Sequence, residues 1–382
     1  GDTMKKNIFK KYPTFFVFSA IVILFTVIDI INSPKEFSEL ENRNLSQIPI
    51  LSLESYIDTS FSSDYEKYIN DQFFLRDKWI DLKSRIEYLL GKRENNDIIF
   101  GKENYLFKKF TTFNDEMLEN NLNSILTFTN SYKTDVDFFI IPNSYAIYDE
   151  LTPRYLPLVD QLSLINSINS YLSLESNNHI NAINVAEKLL KNKDDYIYYK
   201  TDHHWTSYGA YLAYLTYMDS LGLEAIDIDK LEEIKINNFF GTYYNRSKYF
   251  KADSDFITYY NMPNLQIEID GKEYLSLMDL DKFKSSDKYS AFLWGNNGLT
   301  KVINENIAEE RKGSSILIFK DSYANSFIQF LANNYETIDI VDLRHFKEPI
   351  SNFMKDKEYN QILIMYSFDN LSSDINIRRL KF

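Results

Sequence analysis

Short apolar runs alternate with amphipathic stretches from about residue 97 to the end of the chain. The amphipathic stretches predict helices at about 114–132, 161–176 and 206–221, and a further helix that runs to Asn333. Apolar strands followed by amphipathic helices are typical of a mostly parallel sheet with helices on both faces, so the pattern predicts an α/β fold. The predicted strands are DIIFGKENYLF (97–107), DVDFFIIPN (135–143), YIYYK (196–200), SSILIFK (314–320), ETIDIVDL (336–343) and QILIMYS (361–367).

The longest apolar run, PTFFVFSAIVILFTVIDII, lies near the start of the chain at residues 13–31. Its length matches a bilayer core of about 30 Å. Four lysines precede it, which predicts a cytoplasmic N-terminus, and no A-x-A-like site follows it, which favours an uncleaved transmembrane anchor over a removed signal peptide. The predicted organisation is a cytoplasmic segment (1–12), a transmembrane anchor (13–31), a linker (32–60) and an extracytoplasmic domain (61–382). That domain opens with a helix from Ser62 to Leu90 and contains a less regular insertion or β-rich subregion at about 230–300.

Composition excludes several classes of function. The net charge of −13 and the pI near 4.9 argue against a nucleic-acid surface, which needs clustered Lys and Arg. The chain has no cysteine, and this excludes disulfides, thiolate nucleophiles and cysteine-based metal sites. Aromatic residues make up 16% of the chain, which suits stacking on the sugars of a neutral glycan or reflects codon bias of the host.

Two predicted strands run into polar turns that carry reactive side chains. The strand at 196–200 runs into TDHHWTS, and the strand at 314–320 runs into Asp321, Ser322 and a helix. Ligands of open α/β sheets bind beyond the carboxyl ends of the strands. A serine at a strand-to-helix turn lies beside the free N–H groups of the helix, and this arrangement can supply a nucleophile together with an oxyanion hole.

A serine nucleophile needs a base, and the base needs an orienting group. Of the four histidines, His204 has an aspartate two residues before it at a predicted strand end. Asp202 can hold one nitrogen of the His204 ring while the other faces Ser322, and His203 then points away and packs or makes a hydrogen bond. The hypothesis is a Ser322–His204–Asp202 triad, which needs no metal and no cofactor.

Each motif also has a simpler interpretation. Asp321 and Ser322 alone are compatible with an ordinary helix N-cap. The Asp202-His203-His204 run is compatible with half of a zinc site or with a packed histidine pair, although no second histidine cluster or H-E-x-x-H completes a zinc site. Both motifs fall at strand ends of one predicted sheet, and this favours the catalytic interpretation.

The stretch TDHHWTSYGA (201–210) resembles the signature of the bacterial DHHW protein family, which is similar to the alginate O-acetylation proteins of the SGNH-hydrolase-like superfamily. Further blocks resemble the family in order from about Phe37 onward: FSELENRNLSQIP, YINDQFFLRDKW, GKENYLF, GTYYNRS and FKDSYANSF. The resemblance implies an SGNH-like fold in which Ser322 is the nucleophile, His204 the base and Asp202 its orienting acid. The D-x-H precedes the serine, as in the permuted order of the alginate proteins.

The resemblance also implies residues that stabilise the oxyanion. Gly295 and Asn296 in WGNNG, or Asn325 one turn beyond the serine, are the candidates, although Gly295 and Asn296 could equally form a tight turn. Arg246 in YYNRSKYF is a candidate substrate contact or the anchor of a surface loop.

The family implies acetyl transfer to or from a polysaccharide outside the cytoplasm, with acetyl supplied by a membrane-bound O-acyltransferase. An anchor at residues 13–31 would hold the domain beside such a partner. Ser322 is then expected to take up acetyl as an ester and pass it to a hydroxyl of an exopolysaccharide or cell-wall glycan. Two alternatives stay open: a carbohydrate acetyl esterase that uses the same residues, and a non-catalytic scaffold that binds glycan or organises a synthase complex.

Overall fold

The computed structural model describes residues 10–38, 43–132, 135–262 and 265–381. Most of the predicted cytoplasmic segment, residues 1–9, and residues 39–42 of the predicted linker lie outside this range. The chain divides into two compact units, Gly1–Lys92 and Arg93–Phe382.

The first unit is mainly helical. Within the residues that the structure describes, no helix combines the length and the apolar character that a membrane crossing requires, so the transmembrane assignment of residues 13–31 lacks support. The single helix predicted from Ser62 to Leu90 is interrupted after Gln72, where Leu75 adopts a left-handed conformation with φ of +55°. The elements are α1 Pro13–Ile31, β1 Phe37–Ser38, β2 Arg43–Asn44, α2 Leu53–Ile57, α3 Ser60–Gln72 and α4 Arg76–Leu89.

The second unit is built on an eight-stranded sheet. The strands of this unit are β3 Glu94–Asn95, β4 Ile98–Phe100, β5 Leu106–Lys108, β6 Val136–Ile141, β7 Ile180–Ala182, β8 Glu233–Phe239, β9 Asp255–Tyr260, β10 Leu265–Ile269, β11 Lys272–Tyr274, β12 Leu299–Asn304, β13 Ser315–Lys320, β14 Thr337–Val341 and β15 Gln361–Ser367. The strand order in the eight-stranded sheet is β11-β10-β12-β14-β13-β15-β6-β7. The strands β14, β13, β15, β6 and β7 are parallel, and β12, β10 and β11 continue the sheet in antiparallel fashion.

Burial follows the two kinds of strand. β6, β13, β14 and β15 are nearly continuous apolar runs, and almost all of their residues are buried because parallel strands are covered on both faces. In β10 and β12 buried residues alternate with partly exposed ones, as expected for antiparallel strands with one face turned to solvent. The region at about 230–300 is β-rich. It contains the antiparallel pair of β8 and β9, and its later strands extend one edge of the main sheet.

Helices connect and cover the strands. The helices of this unit are α5 Asp115–Tyr132, α6 Ser144–Ile147, α7 Gln161–Glu175, α8 Val185–Lys191, α9 Ser207–Leu221, α10 Thr242–Ser247, α11 Ala324–Leu331, α12 Ile350–Phe353 and α13 Phe368–Leu371. Helix α9 packs against α8 and α11, and α5 packs against α7 and a 3₁₀ helix at Ile375–Lys381. The fold is thus a mixed α/β fold, in agreement with the α/β class that the sequence predicts.

Two of the predicted strands are not part of the main sheet. The run at 97–107 is not in the main sheet, because it folds into β4 and β5 of a separate three-stranded antiparallel sheet. YIYYK at 196–200 forms no strand of the main sheet, and its Tyr198 makes only an isolated bridge to Trp205. Ile197, Tyr198 and Tyr199 are buried in the core, which explains the apolar run. The prediction that this run is a strand of the sheet is wrong. Only the serine motif therefore follows a strand of the main sheet.

Candidate active site

Ser322 lies in the sharp turn between β13 and α11. Asp321, which is fully buried, fixes this turn: its Oδ1 accepts the Tyr323 backbone N–H at 3.0 Å. Its Oδ2 accepts the N–H and hydroxyl of Ser367 at 2.8 and 2.7 Å and the Asn370 amide at 2.8 Å, which ties the turn to the end of the neighbouring strand β15. No side chain caps α11, so the N-cap interpretation of Asp321 and Ser322 does not describe the structure, and the serine hydroxyl is available for another partner.

That partner is His204, although 118 residues separate it from the serine. The Nε2 atom of His204 lies 2.7 Å from Ser322 Oγ, and its Nδ1 atom lies 2.5 Å from Asp202 Oδ1. All three side chains are buried, with Ser322 the most accessible at 8%. The structure thus brings Ser322, His204 and Asp202 into one continuous hydrogen-bonded chain.

Asp202 is held by more than the histidine. Its Oδ1 also accepts the His204 backbone N–H at 3.0 Å, a local turn that follows from the two-residue spacing. Its Oδ2 accepts the backbone N–H of Thr242 at 2.7 Å and the Thr242 hydroxyl at 3.0 Å. Gly241 allows this approach, because a Cβ atom there would lie only 2.2 Å from the Asp202 Cβ.

A buried carboxylate at the start of β9 holds the loop that carries the histidine. Asp255 accepts the backbone N–H groups of Lys200 and Thr201 at 2.9 and 2.8 Å, and it also bonds the hydroxyls of Thr201 and Tyr196. Burial raises the pKa of Asp255, while these donors act in the opposite direction. The loop is therefore positioned by a residue that lies more than fifty positions away in the sequence.

Aromatic side chains complete the walls of the site. The Tyr289 ring stacks on the His204 ring with centroids 3.7 Å apart and an interplanar angle of 9°. The Tyr289 hydroxyl also donates to the Ser322 carbonyl at 3.1 Å, so Tyr289 contacts both His204 and the serine turn. Trp205 donates its Nε1–H to the Tyr323 carbonyl at 3.0 Å, which joins the histidine loop to the first residues of the serine helix.

Burial and neighbouring charges set the protonation states of Asp202 and His204. Burial lowers the pKa of His204 and the neighbouring His203 lowers it further, while Asp202 opposes both, and the pKa is about 4. Burial by itself raises the pKa of Asp202, but His203, His204 and the Thr242 N–H outweigh it and hold that pKa well below its usual range. At neutral pH Asp202 is therefore ionised and His204 neutral, with Nδ1–H donated to Asp202 and the Nε2 lone pair free to accept the proton of Ser322.

His203 makes a hydrogen bond and packs against its neighbour, as predicted. Its Nδ1 lies 2.7 Å from the Thr242 hydroxyl, and its ring packs on the His204 ring with centroids 3.7 Å apart. Ligand atoms of Asp202, His203 and His204 lie within 4.8 Å of one another, a grouping that could hold a metal ion. However, both nitrogens of His204 already have partners, Asp202 and Ser322, so a metal bound through His204 would have to break one of these bonds.

The candidate oxyanion residues lie together beside the serine turn. Asn325 donates its amide to the Gly295 carbonyl and to Asn296 Oδ1, both at 3.2 Å. Both asparagine oxygens accept from Lys320, a residue that no sequence motif singles out. Gly295 lies in a turn with φ of +82° and donates its N–H to the Phe292 carbonyl, so this N–H is not available to a substrate.

Arg246 is the remaining candidate site residue. It is half exposed on α10, and its guanidinium lies 3.6 Å from the Asp97 carboxylate. Its carbonyl accepts the Asn96 side chain at 2.7 Å. These contacts support the interpretation of Arg246 as a loop anchor rather than as a substrate contact.

Sequence reasoning missed three residues that hold Asp202, His204 and their loop in place: Thr242, Asp255 and Tyr289. Thr242 lies in the GTYYNRS block, and that block was the one available signal. Asp255 and Tyr289 lie in the irregular region, where neither periodicity nor spacing distinguishes them from surface residues.

Comparisons with known proteins identify similar sequences and similar folds. The model of the family described as DHHW protein matches residues 98–341. A solved DHHW family protein from Eubacterium siraeum has 23% identity and a TM-score of 0.65, covering 75% of this chain and 96% of that one. Bacillus cereus PatB1 has 19% identity and a TM-score of 0.58 (73% and 98%), and its structure with a sulfonyl adduct has 20% and 0.60 (75% and 98%). These likenesses show a common fold, and no curated protein matches the chain.

Proposed function

This chain belongs to the DHHW protein family, and on that premise we propose that it is an O-acetyltransferase that moves acetyl through Ser322 to hydroxyls of a polysaccharide. The observation that carries the proposal is the chain of contacts from Ser322 Oγ through both ring nitrogens of His204 to Asp202. It has the connectivity of an activated serine nucleophile, with a base within reach and an ionised group that orients the base.

In the first half-reaction an acetyl ester donor binds beside Ser322. The Oγ atom attacks the acetyl carbonyl carbon as its proton passes to His204 Nε2, and the bond from the carbonyl carbon to the leaving oxygen then breaks. His204 returns the proton to that leaving oxygen, which departs as an alcohol. Ser322 is left as an acetyl ester, and Asp202 stabilises the imidazolium that forms transiently.

The second half-reaction is the reverse in chemistry. A sugar hydroxyl gives its proton to His204 Nε2 and attacks the acetyl carbon, a new ester bond forms, and the bond to Ser322 Oγ breaks. His204 then gives the proton to Oγ and restores the free serine. Because water could replace the sugar in this step, the same residues would support an esterase if the site admitted water.

We place the reaction outside the cytoplasm and expect a membrane-bound partner. A polysaccharide acceptor lies outside the cytoplasm, and the family resemblance implies a membrane-bound O-acyltransferase as the source of acetyl.

PatB1 has been solved with a sulfonyl adduct. We expect sulfonyl reagents to react with Ser322 in this chain in the same way as acetyl donors.

The test is chemical labelling of the serine. Incubation with p-nitrophenyl acetate or a sulfonyl fluoride is expected to add one acetyl or sulfonyl mass to the peptide that contains Ser322. Ser322→Ala should abolish the adduct, and Asp202→Asn and His204→Ala should each lower turnover by about 10⁴-fold, as in other triads. The matched control is Ser285→Ala, which removes an exposed serine hydroxyl and should leave labelling unchanged.

The pair of histidines gives an internal comparison. His203→Ala removes a neighbouring imidazole that does not contact Ser322, so it should retain most of the activity. Double variants of the triad should lose little more than single ones, because the three residues act as a unit. Normal labelling in the Ser322 variant would exclude the nucleophile assignment, and an essential His203 with a dispensable His204 would exclude the base assignment. Release of acetate without transfer to added glycan would identify an esterase instead.

A further inference from the structure

A buried cation lies directly behind the nucleophile turn. Lys320 is the last residue of β13, and its side chain is 1% exposed. Because Phe319 pairs with Val341 in the parallel register of β13 and β14, the next residues of the two strands, Lys320 and Asp342, are neighbours. Nζ of Lys320 lies 3.4 Å from Asp342 Oδ2, 2.8 Å from Asn325 Oδ1 and 3.1 Å from Asn296 Oδ1.

Lys320 and Arg344 both bond the carboxylate of Asp342. Arg344 bonds the two oxygens of that carboxylate at 2.9 and 2.6 Å, much closer than the lysine does. The two asparagine oxygens therefore provide the shortest contacts of the buried ammonium group. With three acceptors and three N–H groups, Lys320 has no donor left for a substrate.

The ammonium group dictates how both amides are oriented. Lysine donates three hydrogen bonds and accepts none, so each asparagine must turn its oxygen toward Nζ and its NH₂ group away. The NH₂ group of Asn325 then faces the Gly295 carbonyl and Asn296 Oδ1, and both of its hydrogens are used. Asn296 Oδ1 accepts from Lys320 and from Asn325, while its Nδ2 makes no hydrogen bond to any described residue. The free donor of this cluster is thus the exposed amide nitrogen of Asn296.

The cluster adjoins the reacting atoms from two directions. Asn325 is in the first turn of α11, and its backbone N–H donates to the Ser322 carbonyl at 3.2 Å. Tyr289, seven residues before Asn296, stacks on His204 and donates to the same Ser322 carbonyl. The segment that carries Asn296 therefore adjoins the serine turn through Tyr289 and through Asn325.

We propose that Lys320 is a positioning residue that fixes the Asn296 amide so that Nδ2 donates to the acyl oxygen when Ser322 attacks. The inference rests on the proposed function, because it assigns a donor for the charge that develops in that reaction. The step makes no new covalent bond: the carbonyl oxygen becomes negative as the Oγ–C bond forms, and Asn296 stabilises it until the leaving group departs. Such a donor acts on the transition state more than on the bound substrate.

The experiment measures kcat and KM for p-nitrophenyl acetate, with the background rate taken from Ser322→Ala. Asn296→Ala should lower kcat by about 10²-fold or more with KM within about twofold, the loss seen when one oxyanion donor is removed. Lys320→Met should give a similar kcat loss, because the amides are then free to rotate. The double variant should be no slower than Asn296→Ala alone, since the lysine acts through the asparagine. Lys347→Met, at an exposed position, is the matched control and should keep the wild-type kcat.

A second measurement uses the pH profile of the wild-type protein and does not depend on the folding of the lysine variant. Burial lowers the pKa of Lys320 to about 8, with Arg344 acting in the same direction and Asp342 and Asp321 opposing it. Once deprotonated, Nζ can accept a hydrogen bond and no longer forces the asparagine oxygens inward. The wild-type kcat should therefore fall as pH rises through about 8, and this fall should be absent in Asn296→Ala.

Three results would overturn the inference: an Asn296 variant with kcat within twofold of wild type, a rise in KM in place of the kcat loss, or additive losses in the double variant. Failure of Ser322 to label at all is a different outcome. It would contradict the proposed function itself. Labelling of Ser322 together with a normal kcat in Asn296→Ala would contradict only the role of this cluster.

Discussion

Replacement of Gly241 by alanine is the sharpest test of how Asp202, the acid of the proposed triad, is held. Gly241 has φ of −89° and ψ of −165°, which any residue adopts, so the backbone does not require glycine there. What requires it is space, because an added Cβ atom would lie 2.2 Å from Asp202 Cβ and 2.4 Å from Asp202 Oδ2. Reaching an ordinary contact of 3.4 Å needs a displacement of about 1.2 Å in one of the two segments.

A displacement of that size is large on the scale of the site. Asp202 is bonded at 2.5 Å to His204 and at 2.7 Å to the Thr242 N–H, and a shift of about 1 Å takes such a contact beyond the 3.2 Å limit of a good hydrogen bond. Misplacement by 1 Å in an active site costs about 10²-fold in rate. We therefore expect Gly241→Ala to lower kcat by about 10²-fold or more, with overpacking that costs about 1–3 kcal/mol of stability.

The assay compares kcat for p-nitrophenyl acetate and the midpoint of thermal unfolding in the same preparations. Gly101→Ala is the matched control, because its Cβ would lie 2.5 Å from the Phe107 ring in the small sheet of β3, β4 and β5, and the atoms nearest to it belong to Phe107 and Leu151. The control should lose stability but keep kcat per folded molecule. A Gly241 variant with normal stability and kcat within about threefold of wild type would show that the tight approach to Asp202 does not hold the triad.

Three further predictions address metal, pH and the support of the loop. Treatment with EDTA should leave activity unchanged, and one tightly bound zinc per chain, lost on mutation of His203 and His204, would identify a metal site instead. Activity should rise as pH increases through about 4 and stay high at neutral pH, because the pKa of His204 is lowered to about 4 and only the neutral ring can accept a proton; a pH–rate profile with its acidic limb near 6.5 would contradict this. Asp255→Asn should destabilise the protein by about 1–3 kcal/mol in urea unfolding, because its NH₂ group would face buried donors such as the Thr201 N–H; unchanged stability would show that the carboxylate is dispensable.

The sequence predicted much of the local structure, and for a clear reason. A buried parallel strand must be apolar along its whole length, so β6, β13, β14 and β15 could be read directly from their composition. YIYYK has the same composition because it is equally buried, yet it makes only an isolated bridge, since burial alone does not specify a strand partner. The break in the helix after Gln72 was missed because the apolar residues that follow it continue the helical pattern.

For the site, the sequence by itself determined the reactive groups and the local geometry that their spacing imposes. Asp202 and His204 are two residues apart, and this spacing lets one carboxylate oxygen meet both the backbone and the ring of the histidine. Only the tertiary structure decided which distant groups meet: Ser322 with His204, Thr242 and Gly241 with Asp202, and Lys320 with the asparagine amides. Periodicity reports which side of an element is buried, whereas these hydrogen bonds join segments that become neighbours only when the sheet and its insertion fold, so their partners and directions are set by packing and not by local pattern.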